Sequence, residues 1–307
     1  MYKQLTFFIQ KTFLFLIAVI ISLGLLFTQA DGYTDEYYLK FATPKQKSLI
    51  LGTSRAAQGV RPDVFEEVLG EKVFNYAFTI GHSPFGDVYL DSIKRKLEEQ
   101  VTDGTFIITV DPWSISSQTE DPNKHKKFRE LELALANTKI VDLKPNFLYL
   151  LQNYANSYVY ILRNKISHPA FLLHDDGWLE ISIGMSEREI ASRTKAKLEF
   201  YRENNLPEYK FSEVRLDYLS KTIEYLKEHG SVYLVRLPVS SGMTEIENIF
   251  MPDFEEKIQQ AKQLSSGYLD LTQSDSEYVY SDGNHLFKDS ARDVSQDIAD
   301  FILSQKK

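Results

Sequence analysis

Ser48-Leu-Ile-Leu-Gly52-Thr53-Ser54-Arg55 is the stretch on which the fold turns. Its apolar run is short, stops at a glycine and gives way to Thr-Ser. That reads as a buried strand feeding the N-terminus of a helix. The same punctuation recurs along the chain. Arg61-Pro62-Asp63 opens a helix that reaches Leu69 and is stopped by Gly70. Residues 73–78 read as a second strand, and Ser83-Pro84 caps a helix running to about Gln100. Residues 105–110 (TFIITV) form a third strand. Residues 212–229 form an amphipathic helix closed by Gly230, and residues 232–237 (VYLVRL) a fourth strand stopped by Pro238. Residues 252–264 follow as a helix, residues 268–271 as a fifth strand and residues 289–303 as a terminal helix. Alternation of strand and helix implies βαβ units, and strands apolar on both faces imply a sheet covered on both sides. The predicted class is therefore a three-layer α/β/α fold on a five-stranded parallel sheet.

Two segments stand outside that alternation. Residues 112–211 lie between the third and fourth strands. A connection of that length must carry its own structure. Its helical patterns, notably residues 146–163 (NFLYLLQNYANSYVYILR), predict a helical cap inserted on one rim of the sheet. It also carries the polar run His174-Asp175-Asp176-Gly177-Trp178. The other segment is residues 1–30. Thr12 to Phe27 holds no charge, and residues 5–27 are long enough to span a bilayer with only Gln10 and Lys11 interrupting. Lys3 and Lys11 precede the run; Asp31, Asp35 and Glu36 follow it, which places the N-terminus inside and the rest outside. The expectation is a single-pass anchor in a bacterial cytoplasmic membrane, with residues 31–307 as one α/β domain on the outer, periplasmic side. A signal peptide cut after Ala30 is the rival reading, though Thr28 is only a fair residue for its −3 position.

Composition narrows the function classes. The 307 residues carry 35 Lys+Arg against 43 Asp+Glu, a net charge of −8, so a nucleic-acid partner is not expected. The chain has no cysteine, which removes disulfides, thiolate metal sites and a cysteine nucleophile.

In an open α/β sheet, ligands gather at the carboxyl ends of the strands. Ser54 stands there after the first strand, where adjacent N–H groups at a helix start can meet an oxyanion. Asp282 and His285, three apart before the last helix, allow the carboxylate to orient the imidazole and the imidazole to take the proton of Ser54. Each piece also has a plain structural reading: a lone Gly-x-Ser is commonly a capped turn, and Asp-Gly-Asn is turn chemistry. His174, Asp175 and Asp176 match no recognised ligand spacing, so no metal and no cofactor is expected. Trp178 reads as a packed tryptophan.

Gly52-Thr53-Ser54 and Asp282-Gly283-Asn284-His285 resemble the nucleophile block and the Asp-x-x-His block of the SGNH/GDSL hydrolase superfamily, over roughly residues 48–303 without the cap. The resemblance implies an SGNH/flavodoxin-like fold, with Ser54 as nucleophile, His285 as general base and then acid, and Asp282 as its orienter. The superfamily's third block, Gly-x-Asn-Asp, has no counterpart: Asp111-Pro112-Trp113 follows the third strand. Gly81 stands where the second-block glycine would. Substitute oxyanion donors are the N–H groups of Ser54 and Arg55, with His82 or Asn75. Asp111 is placed either to touch substrate or to cap its own turn. These departures, together with the anchor, resemble the envelope branch that handles D-alanyl transfer and polysaccharide O-acetylation. That branch implies acyl-ester hydrolysis or O-acyl transfer on envelope carbohydrate, with a membrane O-acyltransferase as partner. The competing expectation is a catalytically inactive glycan-binding or assembly scaffold, which the missing asparagine favours.

Overall fold

The computed structural model describes residues 2–273 and 278–306. Its strands are β1 (Leu49–Leu51), β2 (Phe74–Asn75), β3 (Gly104–Thr109), β4 (Ser116–Ser117), β5 (Phe171–Leu173), β6 (Leu179–Ile181), β7 (Lys210–Phe211), β8 (Gly230–Arg236) and β9 (Gly267–Asp270). The principal helices are α1 (Tyr2–Phe27), α2 (Ser54–Gly59), α3 (Pro62–Leu69), α4 (Asp87–Lys96), α5 (Phe147–Gln152), α6 (Val159–Ser167), α7 (Glu187–Phe200), α8 (Glu213–Lys227), α9 (Ser241–Phe250) and α10 (Lys288–Gln305). Five strands form one sheet in the order β2-β1-β3-β8-β9, every neighbouring pair parallel. In register, Ile50 pairs Ile107 and Leu234 pairs Tyr268. β1 and β3 are buried along their whole length, which is why they read as unbroken apolar runs. Helices α2, α3 and α10 pack together as one group, while α8 packs on β8 and α4. This is the three-layer α/β architecture, and it is compatible with an SGNH-like fold.

Where boundaries differ from the sequence reading, a side chain has taken a competing partner. β2 is cut to two residues because Asn75 Oδ1 accepts the N–H of Ala77 in an Asx turn, although Tyr76 still donates to Ile50 O at 2.8 Å. Ser83 does not cap the next helix. Its hydroxyl donates to Gly52 O at 2.7 Å and accepts from Phe78 N, so α4 starts at Asp87. Gly230 opens β8 instead of ending a helix. Residues 252–264 break into Phe254–Lys257 and Gln259–Leu264, around a buried Ile258.

The insertion is not wholly helical. β4 and β7 pair antiparallel and tie its two ends at a neck. β5 and β6 form a hairpin whose turn is the polar run 174–178. The helical pattern of residues 146–163 is interrupted by Asn153 to Ser157, turn-forming residues, and yields α5 and α6. α7 is a further helix of the insertion, and Ser186 and Glu189 form a capping box that marks its start. α1 is a single apolar helix of 26 residues at the N-terminus, long enough to cross a membrane.

Candidate active site

β1 ends at Gly52, whose φ of 145° and whose approach to the Thr109 hydroxyl leave no room for a Cβ. Tyr89 OH meets Gly52 N at 3.0 Å and Ser83 holds Gly52 O, so the turn is braced from two sides. Thr53 is extended and Ser54 begins α2. The first N–H groups of a helix have no intrahelical acceptor, and those of Ser54 and Arg55 stand at this start.

On the far side of the sequence, Asp282 closes a tight turn. Its Oδ1 accepts the N–H groups of Asn284 at 3.0 Å and His285 at 2.9 Å. Gly283 takes φ 76°, with Thr194 and Ser240 filling the space a Cβ would need. His285 Nδ1 lies 3.0 Å from Asp282 Oδ2, and His285 Nε2 lies 2.9 Å from Ser54 Oγ. The turn reading and the orienting reading of Asp282 thus describe one carboxylate. Burial would push that carboxyl up, but the hydrogen bond from His285, the charge of Lys197 and the Asn284 N–H hold it far below the usual carboxylate range. With Asp282 ionised and facing Nδ1, the ring carries its proton on Nδ1 and leaves the Nε2 lone pair toward Ser54.

The other candidates have different places. Arg55 is buried, its Nη1 2.7 Å from Glu247 Oε1 and 3.8 Å from Asp111 Oδ2. Burial works against its charge, yet the carboxylates of Glu247 and Asp111 prevail and raise its pKa. Its Nε and Nη2 grip Asn284 Oδ1 at 3.1 and 2.7 Å. Asp111 Oδ1 accepts the N–H groups of Trp113 and Ser114, capping its own turn, and burial raises its pKa. Asn75 gives both amide hydrogens to carbonyls of α2 and its end, Ala56 and Val60, each at 2.9 Å. His82 pairs through Nδ1 with Thr79 Oγ1 and lies against Tyr37; burial and Arg129 lower its pKa to about 4. Gly81 faces Arg129. The structure therefore brings Ser54, Asp282 and His285 together, puts Arg55 and Asp111 in the network behind them, and occupies Asn75 and His82 with local partners. Trp178 is buried and donates to Gln58 O. Among the described residues, no group of three or more His, Asp and Glu is placed to hold a metal ion.

Four residues of the site are not singled out by the sequence reading. Asn284 sits inside the Asp-x-x-His block, and its Nδ2 approaches His285 Nε2 at 3.2 Å. The guanidinium of Arg55 fixes this orientation, because it can only face the amide oxygen. Lys197 of α7 reaches Asp282 Oδ2 at 3.1 Å, and Arg193 of the same helix donates to Ser281 O at 2.8 Å. Arg193, Lys197, Phe200 and Asp282 line a cavity of about 340 Å³. Glu247 on α9 joins Arg55, the indole N–H of Trp113 and Arg236. Only Asn284 had a sequence cue, through its place between Asp282 and His285. No family model matches this chain, and no curated protein matches it either.

Proposed function

We propose that this chain is a membrane-anchored serine acyl-ester hydrolase or O-acyltransferase of the SGNH kind, acting on envelope carbohydrate. The observation that carries the chemistry is the 2.9 Å approach of Ser54 Oγ to His285 Nε2, with Asp282 on the opposite ring nitrogen. In this reading Ser54 Oγ attacks the ester carbonyl carbon and His285 Nε2 takes its proton. The oxyanion meets the N–H groups of Ser54 and Arg55, and the Asn284 amide supplies the side-chain donor for which the third strand offers no asparagine. Collapse breaks the ester C–O bond, and His285 returns the proton to the departing alcohol. Water or a sugar hydroxyl then attacks the acyl-serine, with its proton again taken by His285 and returned to Ser54. The substrate class and a membrane O-acyltransferase partner come from the resemblance of the two blocks.

The anchor is read as uncleaved. Phe27 is 1 % exposed and Ala30 5 %, both within the core, so cutting after Ala30 would strip a packed ring from the domain. The discriminating experiment treats the full-length protein with a serine-directed fluorophosphonate and assays acetyl-ester turnover, with Ser54→Ala beside it. Wild type is expected to label and turn over, the variant to do neither. Equal behaviour of the two would sink the enzyme and leave the inactive scaffold.

A further inference from the structure

Outside α1, thirteen large apolar side chains are exposed among the described residues, and nine of them fall within residues 140–166. These nine sit on and around α5 and α6. α5 sends Tyr149 and Leu150 into the core and turns Leu148 and Leu151 outward. α6 buries Ile161 and exposes Val159, Leu162 and Ile166, the last at 86 %. A helix on the surface of a water-soluble domain carries mostly polar residues on its outer face; here Leu148 and Leu151 stand with Gln152, and Val159, Leu162 and Ile166 with Arg163 and Ser167.

Their place in the fold says what covers that face. α1 packs against both helices at its outer end: Phe27 lies 6.0 Å from the ring of Phe147 and 5.0 Å from that of Tyr158. A helix of 26 residues is about 39 Å long, against a hydrocarbon layer of about 30 Å. The end of α1 that meets α5 and α6 is thus the end that emerges from the bilayer, and the apolar surface of the anchor continues onto the domain. Basic side chains border this face. Between residues 139 and 168 there are Lys139, Lys144, Arg163 and Lys165 against one acidic residue, Asp142; Lys144 and Lys165 pair with Asp175 and Asp31, while Lys139 and Arg163 are exposed.

We propose that α5 and α6 are a membrane seat: their outward faces sink into the interfacial region of the outer leaflet beside α1, with lipid phosphates meeting Lys139 and Arg163. The seat rests on the reading of α1 as an anchor. It gives the domain two attachments, so residues 28–34 are not a free tether and the sheet has a fixed attitude to the membrane.

The absence of cysteine makes the test direct. Single variants Leu148→Cys, Leu151→Cys, Leu162→Cys and Ile166→Cys of the full chain carry a polarity-sensitive fluorophore in phosphatidylethanolamine–phosphatidylglycerol vesicles. Leu16→Cys in α1 and Ile249→Cys on α9 serve as references. The seat predicts blue-shifted emission and loss of intensity with brominated acyl chains at the four positions and at 16, but not at 249. Lipid contact at 16 with aqueous emission at all four would overturn the seat and leave the anchor. An aqueous signal at 16 would overturn both. Shielding at the four positions without bromolipid quenching, accompanied by label–label coupling between copies, would make the face a subunit contact and overturn the seat as well. Quenching at 249 equal to that at the four would show general adsorption and do the same.

Discussion

Two sets of buried cations sit in this molecule, and they are handled in opposite ways. Behind the serine, Arg55 and Arg236 meet the carboxylate of Glu247, which is 1 % exposed. At the β2 edge, Lys40 and Lys96 are buried with no carboxylate in contact among the described residues. Lys40 Nζ donates to Asn75 O, Asn75 Oδ1 and Gly177 O; Lys96 Nζ donates to Thr43 O, Thr43 Oγ1 and Val141 O. Three acceptors match the three hydrogens of an ammonium, so hydrogen bonding is complete while charge is uncompensated. Burial accordingly drives the Lys40 pKa well down and the Lys96 pKa to about 7, whereas Arg55, next to Ser54, is held charged. The lysines stitch the insertion and the segment after α1 to the sheet edge. The guanidinium network fixes the position of Asn284, and through it the neighbourhood of His285.

That contrast can be broken experimentally, beginning with the paired set. Glu247→Ala leaves two guanidinium groups without their shared carboxylate and should cost about 3–5 kcal/mol of stability. A urea melt followed by far-ultraviolet circular dichroism measures it, and a loss below that of Lys96→Met would refute the ranking. Asn284→Ala should lower acyl-ester turnover by about 10²–10³, roughly 3–4 kcal/mol, if its amide meets the oxyanion. Asn284→Asp, which removes the same N–H donor, should fail similarly in kcat with little change in KM.

His82 sharpens the unpaired side. Its pKa of about 4 in the fold lies below the ordinary 6.5, so the unfolded chain binds the proton first. The stability this group contributes is complete above pH 6.5 and is lost as pH falls toward 4, up to about 3 kcal/mol. Melts across that range should show a slope that His82→Asn flattens; an unchanged slope would remove His82 from the account. Smallest is Lys96→Met, which relieves a desolvated charge but orphans two carbonyls, a net loss of about 1–2 kcal/mol.

The parallel sheet and the order of its strands' chemistry were legible because each strand is a local object: an apolar run such as residues 105–110, stopped by a residue with turn chemistry. The pairing of Asp282 with His285 was legible because three residues of one turn are held together by the turn itself. The apolar α1 was visible from composition alone. What the chain could not display was any contact made across the fold. Arg55 finds Asn284 229 residues away, and Trp113 finds Glu247 134 residues away. Ser83 reads as a helix cap until a distant carbonyl, Gly52 O, claims its hydroxyl. Residues 146–163 read as one helical stretch of a cap with no inner and outer face; only the burial of Leu150 and Ile161 and the exposure of Leu151 and Ile166 separate the two. Local sequence sets propensity and spacing, while burial and the choice among competing partners arise only when the chain is closed into three dimensions.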